Sequence, residues 1–241
     1  MEVKNRLLNF NDMYIYQNDE GFTFSLDSVL LANFVKINKR DKKIIDFCTG
    51  NAPVPLILST KTKDKIIGIE IQKDVSELAM KSIAINNLSQ RIKIINDDVK
   101  NVSNLYESDS FDIITCNPPY FKTTEDGYFN VNKSKMLARH EICLSLEDIF
   151  KQARKILKNG KKIAIVHRVD RFVDIIVTMK KYNIEPKRVR FCYPKVGKEA
   201  NIVLIEGVKN GNTGLKILPN LIIHNADGTY TDEVKNMFEE E

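Results

Sequence analysis

The chain has 241 residues, 43% of them hydrophobic and 29% charged, which is enough for one globular domain with a full core. Its apolar runs are too short to span a bilayer and its start lacks the apolar segment of a secretion signal, so we expect a cytoplasmic protein with no membrane partner. The four cysteines form no C-x-x-C pair, which argues against a disulfide framework or a metal site and favours buried thiols.

The net charge of +5 is unevenly distributed along the chain. Residues 151–216 contain 17 Lys and Arg against 5 Asp and Glu, a net charge of +12, so the remainder carries −7. This asymmetry favours a polyanion as partner, such as a nucleic acid. A general enrichment of the chain in lysine is the alternative explanation.

The predicted elements begin with a helix capped by Ser25, whose inward positions are Leu26, Val29, Leu30 and Phe34. Short β-branched runs then alternate with helical patterns, as in βαβ units around a parallel sheet. The runs span residues 42–47, 65–70, 92–95, 111–116 and 161–166.

Two of the intervening helices have recognisable ends. Asp74 can cap the helix after the second run, with Glu77 three residues further on. Ser145 and Asp148 form a capping box before the fifth run, and Asn159-Gly160 is expected to close that helix.

A helix near 170–182 and two further runs, 187–193 and 200–207, follow, and the short connection between the runs predicts an antiparallel hairpin. We therefore expect a Rossmann-like α/β fold with a seven-stranded, mostly parallel sheet, an antiparallel last strand and helices on both faces. We predict a single domain with an N-terminal cap segment (1–40), an α/β core (41–210) and a C-terminal extension (211–241).

Ligands of open α/β sheets bind beyond the carboxyl ends of the strands, so the residues there are the candidates for a site. After the first strand, Asp46 and the turn Thr49-Gly50-Asn51 allow close approach of a small ligand, although a plain βα turn has the same pattern. Glu70 ends the second strand, where a carboxylate can accept hydrogen bonds from ribose hydroxyls. A dinucleotide-binding enzyme would use such a residue too. The turn lacks a full G-x-G-x-x-G motif, which favours a nucleoside without phosphates.

Asp97 and Asp98 follow the third strand and can accept hydrogen bonds from an adenine amino group, although a solvated acidic turn is the alternative. Acidic residues after three successive strands suit a cationic adenosine derivative that carries no phosphate. We therefore predict S-adenosylmethionine as the cofactor.

The stretch "ITCNPPYF" (114–121) ends the fourth strand in a rigid corner, because proline has no N–H and fixes its own φ. The Asn117 side-chain oxygen and the Pro118 carbonyl can each accept one N–H of a planar amine, with Pro119 next in the corner and Tyr120 offering a ring for stacking. Simple turn formation is the alternative. Residues 121–141 have no periodicity, which favours a substrate loop.

These stretches identify a family. "DFCTGNAPVPLIL", "GIEIQ", "NDDV" and "NPPYF", with "FSLDSVLLANF" before them and "ARHE" and "HRVDR" after them, closely resemble the bacterial tRNA(Val) adenine-N6 methyltransferases. The resemblance implies a single-domain class I enzyme that uses S-adenosylmethionine. The NPPY corner also occurs in DNA adenine, rRNA guanine-N2 and release-factor glutamine methyltransferases. Ala52 departs from the pattern, since relatives usually have a second glycine there, and Pro53 follows it.

The resemblance implies roles for individual residues. Asp46, Thr49 and Gly50 would line the methionine side of the cofactor, Glu70 the ribose, and Asp98 with Val99 the adenine. Asn117, Pro118, Pro119 and Tyr120 would hold the target amine, and Phe24, Leu26 and Asp27 would cover the pocket. The other predicted cofactor contacts are Phe47, Cys48, Asn51, Ile71, Asp97 and Asn117.

We predict methyl transfer from S-adenosylmethionine to the N6 of an adenine in tRNA. The resemblance implies that this base is adenine 37, beside the anticodon of tRNA(Val). The side chains expected to bind the RNA are Arg139, His140, Arg168, Arg171, Lys187, Arg188, Arg190, Lys195 and Lys198. No obligate protein partner is evident. The alternatives are a glutamine N5 methyltransferase acting on a protein such as a release factor, and a catalytically silent RNA-binding protein on the same scaffold.

Overall fold

The computed structural model describes residues 2–7, 13–18, 25–119 and 144–238. Strands β1 (Glu2–Arg6) and β2 (Tyr14–Asn18) form an antiparallel hairpin at the N-terminus, and helix α1 (Leu26–Phe34) follows it. This hairpin was not predicted from the sequence, because only Ile15 and Gln17 of β2 are buried and an alternation of that length is a weak signal.

Strands and helices then alternate along the chain. They are β3 (Lys43–Phe47), α2 (Pro53–Lys61), β4 (Lys65–Glu70), α3 (Lys73–Ile85), β5 (Ile92–Asn96), α4 (Val102–Leu105), β6 (Phe111–Cys116), α5 (Leu146–Ile156), β7 (Leu157–Arg168), α6 (Phe172–Lys181), β8 (Ile184–Tyr193) and β9 (Ile202–Lys209). Two short strands, β10 (Lys216–Ile217) and β11 (Leu221–Ile222), and helix α7 (Asp232–Lys235) come last.

The strands form one sheet in the order β5-β4-β3-β6-β7-β9-β8, with β10 and β11 both paired to β8. Neighbouring strands from β5 to β7 are parallel, whereas β9 runs antiparallel to both β7 and β8. The predicted α/β architecture and its antiparallel hairpin are thus confirmed. The sheet has nine strands rather than seven because the two short strands extend its β8 edge.

The core has two halves, one on each face of the sheet. Consecutive strand residues point to opposite faces, so Ile44 and Ile66 pack with α1, α2 and α3, whereas Ile45 and Ile67 pack with α4, α5 and α6. The inward residues of α1 confirm the predicted face: Val29, Leu30 and Phe34 are buried and Leu26 packs against them.

The helix starts agree only partly with the predictions. Ser145 and Asp148 form the predicted capping box of α5, and Ser25 occupies the N-cap of α1 but makes no side-chain capping bond. The cap predicted at Asp74 is wrong, because α3 has Gln72 as its N-cap. The Glu70 carboxylate binds the backbone N–H of Gln72, and this contact places the start of the helix earlier than the sequence pattern indicated.

The end predicted for α5 at Asn159-Gly160 is also wrong. The helix ends at Ile156, and Leu157 turns to an extended conformation, with φ −69° and ψ 136°. Leu157 is fully buried and pairs with Phe111 of β6, so strand pairing begins before the glycine. The left-handed Gly160 instead lies within the irregular first part of β7.

One glycine of the sheet allows the loop after β3 to lie close to β4. A Cβ atom on Gly68 would lie 2.8 Å from both Cγ2 and Oγ1 of Thr49 and 2.9 Å from Cδ1 of Ile94. The backbone N–H of Thr49 donates to the carbonyl of Ile69 at 2.9 Å, which holds the loop in this position.

Substitution Gly68→Ala should therefore lower the free energy of unfolding by about 1–3 kcal/mol, because the new methyl group overpacks the contact with Thr49. Urea denaturation of the variant and the wild-type protein measures this difference. In a Thr49→Ala background, where both close atoms of residue 49 are absent, the loss should be clearly smaller. An equal loss in both backgrounds would contradict the assigned contact.

Candidate active site

The carboxyl ends of β3, β4, β5 and β6 lie side by side at one edge of the sheet, since these strands are parallel neighbours. The strand order reverses direction at β3, where the chain runs outward to β4 and β5 and then returns to β6 on the other side. Open α/β sheets bind ligands at such a switch point. The segments that follow these strands are 48–52, 71–72, 97–98 and 117–119.

The loop after β3 has an unusual backbone. Cys48, Gly50 and Ala52 all have positive φ, at 56°, 58° and 72°. A left-handed conformation costs an alanine roughly 1–2 kcal/mol, which explains why a glycine suits this position. Ala52 is fully buried, and its N–H donates to the Thr49 carbonyl at 3.0 Å. The loop is thus held in a tight turn despite the departure from the family pattern.

The carboxylate of Glu70 joins the loops after β3 and β4. Its Oε2 accepts the backbone N–H of Gly50 at 2.9 Å, and its Oε1 accepts the backbone N–H of Gln72 at 2.9 Å. The side chain of Asn96 extends this connection to β5, since its Nδ2 donates to the carbonyl oxygens of Glu70 and Ile71. Asn96 was not predicted from the sequence, although it ends a strand in the same way as Glu70.

Asp46 is a buried carboxyl group in the middle of this edge. Its side chain accepts a hydrogen bond of 2.5 Å from the Thr115 hydroxyl on β6. Burial raises the pKa of Asp46 to about 7; the bond from Thr115 opposes the shift, and the nearby Glu70 carboxylate adds to it. A cation bound beside these two carboxylates would favour the ionised form of Asp46.

Two further loop residues connect the site with its surroundings. Asn51 is fully buried, and its Nδ2 donates to the Tyr16 carbonyl of β2 at 2.9 Å, which ties the N-terminal hairpin to the loop after β3. Cys48 is half-buried and packs in the same core half as Phe47 and the buried Cys116. Desolvation raises the pKa of the Cys116 thiol well above its usual value, so that thiol stays protonated.

The acidic residues after β5 organise a turn. Asp97 Oδ1 accepts from the Asp98 N–H at 2.7 Å and from Asn101 Nδ2 at 2.8 Å. Asp98 caps the short 3-10 turn Val99–Asn101 by accepting from the Lys100 N–H at 2.9 Å. Val99 is buried, whereas Ile71 after β4 is exposed. Both carboxylates remain partly accessible at the edge of the site.

The corner after β6 faces helix α1. The Nδ2 of Asn117 lies 3.1 Å from the Ser28 hydroxyl oxygen, so the asparagine side chain points to the α1 side of the sheet. Pro118 is buried and Pro119 is half-buried. Asp27 neighbours Ser28 on α1 and is half-buried. Phe24, Tyr120, Arg139 and His140 lie outside the described residues.

The predicted RNA-binding residues divide into two groups. Arg168 is the last residue of β7 and Arg171 follows it, while Lys195 and Lys198 lie in the β8–β9 connection at the same edge.

The second group lies on β8 and contacts other parts of the chain. Arg188 pairs with Glu206 at 3.1 Å and Arg190 with Glu233 at 2.6 Å, while Lys187 donates to the carbonyl oxygen of Asn212 at 3.1 Å. These contacts hold β8 to β9 and to the C-terminal segment.

None of the helices in the described part of the chain is long and apolar enough to cross a membrane. Within the same residues, no group of three or more His, Cys, Asp or Glu side chains is arranged to hold a metal ion.

Comparison with curated proteins found relatives that match nearly the whole chain. The tRNA1(Val) (adenine(37)-N6)-methyltransferase of Porphyromonas gingivalis is 28% identical over 97% of this chain and 93% of its own length. The protein of the same name from Bacteroides thetaiotaomicron is 24% identical over 99% of this chain and 98% of its own length.

Two solved structures show the same fold at lower identity. The predicted O-methyltransferase Atu636 from Agrobacterium tumefaciens has a TM-score of 0.70 at 19% identity, covering 89% of this chain and 98% of its own. The Pyrococcus horikoshii TYW2 complex with MeSAdo has a TM-score of 0.61 at 17% identity, covering 87% of this chain and 72% of its own.

A model of the methyltransferase small domain matches residues 25–182, which is more than half of the chain and includes every strand end of the site described above. The chain therefore belongs to the methyltransferase small domain family.

Proposed function

We propose that this protein transfers a methyl group from S-adenosylmethionine to the N6 of adenine 37 in tRNA(Val). The observation that carries the proposal is the position of Asn117 and Pro118 directly after β6, beside the end of β3 that holds Asp46, with the β4 end that holds Glu70 on the other side of β3. Relatives that match nearly the whole chain and bear the name of this activity support the same substrate.

The residues present fit the cofactor. S-adenosylmethionine supplies a methyl group on a positively charged sulfur, together with an adenosine that has no phosphates. Asp46 and Glu70 place two buried carboxyl groups at the loop after β3, which suits a cation. The Oδ1 of Asn51 is buried and has no hydrogen-bond partner among the described residues, so an amino or hydroxyl group of a ligand can bind it.

Glu70 is suited to hold ribose hydroxyls while it organises the loop. Each carboxylate oxygen has two lone pairs, so an oxygen that accepts a backbone N–H can accept a hydroxyl as well. Asp98 and Val99 would hold the adenine at the end of β5, with Asp97 behind them as the turn residue. Cys48, Thr49 and Gly50 would line the methionine side.

The corner after β6 would activate the target amine. The Asn117 Oδ1 and the Pro118 carbonyl each accept one N–H of the adenine amino group, and this pins both hydrogens on one side of the nitrogen. The lone pair would thereby be drawn out of the ring and aimed at the methyl group. The new N–C bond would form as the S–C bond of the cofactor breaks, S-adenosylhomocysteine would leave, and the cationic nitrogen would lose one proton to water. Fixed acceptors also stabilise the positive charge that develops on the nitrogen, and no general base with a lowered pKa is required.

The RNA would be bound by the edge of the sheet that carries Arg168, Arg171, Lys195 and Lys198. Arg168 and Arg171 lie at the end of β7, the neighbour of β6, and Lys195 and Lys198 lie in the β8–β9 connection at the same edge of the sheet. The target adenine has to leave its stack to reach the corner, and the ring of Tyr120 would support it there.

Purified wild-type protein should transfer radiolabelled methyl groups to undermodified tRNA(Val), and nucleoside mass analysis should identify N6-methyladenosine. Substitution Asn117→Ala should lower turnover by on the order of a hundredfold or more, because one preorganised acceptor is lost. Its affinity for S-adenosylmethionine, measured by calorimetry, should change less than about twofold, since Asn117 acts mainly on the amine.

The matched control is Asn38→Ala, an exposed asparagine before the amino end of β3, which should retain wild-type turnover. Label transfer to a release factor instead of tRNA would support the glutamine methyltransferase alternative. An absence of cofactor binding at millimolar concentration would support the silent RNA-binding alternative, which the departure at Ala52 keeps open.

Affinity for S-adenosylmethionine should depend on pH through Asp46. The pKa of Asp46 is raised to about 7, so the side chain is mostly neutral at pH 6 and mostly ionised at pH 8. If the cationic cofactor binds the ionised form, affinity should rise about tenfold between these pH values. Calorimetry across this range should show a weaker dependence for S-adenosylhomocysteine, whose sulfur is uncharged, and for the Asp46→Asn variant. Identical pH profiles for both ligands would exclude this role.

Binding of tRNA should weaken steeply with added salt, because phosphate contacts release counterions. In the Lys195→Ala/Lys198→Ala double variant, the slope of log K against log salt should decrease by about one to two, as expected for one or two lost phosphate contacts. The control is Lys42→Ala/Lys63→Ala, which removes two exposed lysines at the amino ends of β3 and β4. Fluorescence anisotropy with labelled tRNA measures both slopes, and equal changes in the two variants would remove the assignment to the β8–β9 connection.

A further inference from the structure

Ser28 of helix α1 contacts Asn117 in the corner after β6. Ser28 lies in the first turn of α1, is only 4% exposed, and places its hydroxyl oxygen 3.1 Å from the Nδ2 of Asn117. The two residues are 89 positions apart in the sequence, so only the packing of α1 against the sheet brings them together. None of the roles proposed for the methyl transfer involves Ser28.

The orientation of the Asn117 side chain decides which atom it presents to a substrate. A carboxamide has an acceptor, Oδ1, and a donor, Nδ2, of nearly the same size on opposite sides of one carbon. Only the orientation with Oδ1 toward the target amine provides an acceptor. The reverse orientation places an N–H against another N–H and repels the substrate.

We propose that Ser28 is a positioning residue for this reaction: its hydroxyl oxygen accepts from Asn117 Nδ2 and thereby turns Oδ1 toward the adenine amino group. The inference rests on the proposed function and deepens it. It assigns to α1 a role in the chemistry in addition to covering the pocket.

The surroundings of Ser28 hold its hydroxyl in place. Val29, Leu30 and Leu31, which follow it, are all at most 1% exposed and pack in the core. The far end of the helix is anchored by Lys61 of α2, whose Nζ donates to the Ala32 carbonyl at 2.8 Å. A hydroxyl on such a fixed helix can orient a partner side chain at little entropic cost.

Two ordinary roles of a helix serine do not account for this contact. Ser28 is not the N-cap of α1, since Ser25 occupies that position. A serine that only filled space in the helix could be replaced by alanine without an effect on turnover, because alanine is smaller and favours helices. The kinetics of an alanine variant therefore separate positioning from packing.

The experiment compares Ser28→Ala, Ser28→Thr and the wild-type protein. Ser28→Ala should lower kcat roughly tenfold while KM for tRNA(Val) and the Kd of S-adenosylmethionine change less than about twofold, because an acceptor aimed at the amine acts mainly in the transition state. Ser28→Thr keeps the hydroxyl and should restore most of kcat. The matched control is Ser59→Ala, a buried helix serine of α2 whose hydroxyl donates to the Leu56 carbonyl of the same helix.

A second measurement does not depend on turnover. In a proton–nitrogen correlation spectrum, the side-chain NH2 signals of Asn117 can be assigned as the pair that disappears in Asn117→Asp. These signals should shift in Ser28→Ala and stay unchanged in Ser59→Ala. If the Asn117 NH2 signals do not shift in Ser28→Ala, the inference is overturned, whatever the activity of the wild-type protein. If the wild-type protein fails to methylate tRNA(Val), the proposed function is overturned separately. An active Ser28→Ala variant with wild-type kcat also overturns it.

Discussion

The two hydrogen bonds that the Glu70 carboxylate accepts are the constraint on which the rest of the site depends. Buried at the end of β4, it accepts one backbone N–H from Gly50 and one from Gln72, and so fixes two neighbouring loops relative to each other. Bonds between a carboxylate and backbone N–H groups are stronger than neutral ones, and a buried carboxylate left without them would be costly. The same loop includes the left-handed turn at Ala52, which is closed by the bond from the Ala52 N–H to the Thr49 carbonyl.

The two sides of the strand β3 differ in chemistry. Toward β4 and β5, the strand ends carry the carboxyl groups of Glu70, Asp97 and Asp98, with Asp46 between them and β6. Toward β6 and β7, the chain presents the Asn117 corner and then the arginines 168 and 171. A cationic cofactor on the acidic side and a polyanionic substrate on the basic side are each favoured by the local charge, and the methyl group would pass between them.

Helix α1 joins the sheet to both halves of this site. Its buried face packs on the sheet, Lys61 of α2 holds its end, and Ser28 reaches Asn117. The N-terminal hairpin contributes in the same way, since Tyr16 binds the Asn51 side chain of the loop after β3. Residues that precede the α/β core thus set the positions of two loop asparagines within it.

Much of the architecture was predictable from the sequence because its signals are local. β-branched runs, turn residues and the Ser145 capping box depend on near neighbours. Parallel strands bring their carboxyl ends to one edge of a sheet, so the sequence alone was sufficient to place Asp46, Glu70 and Asn117 together. Whether the predicted residues bind cofactor or RNA stays a prediction, as do the domain boundaries.

Other features depended on contacts between residues far apart in the chain, and only the tertiary structure decided them. The start of α3 follows from the Glu70 bond to Gln72, and the end of α5 from the pairing of Leu157 with β6. Arg188 and Arg190 pair with Glu206 and Glu233, partners that no spacing rule could identify. Local patterns record the preferences of neighbouring residues, whereas these contacts arise only when separate elements pack against one another.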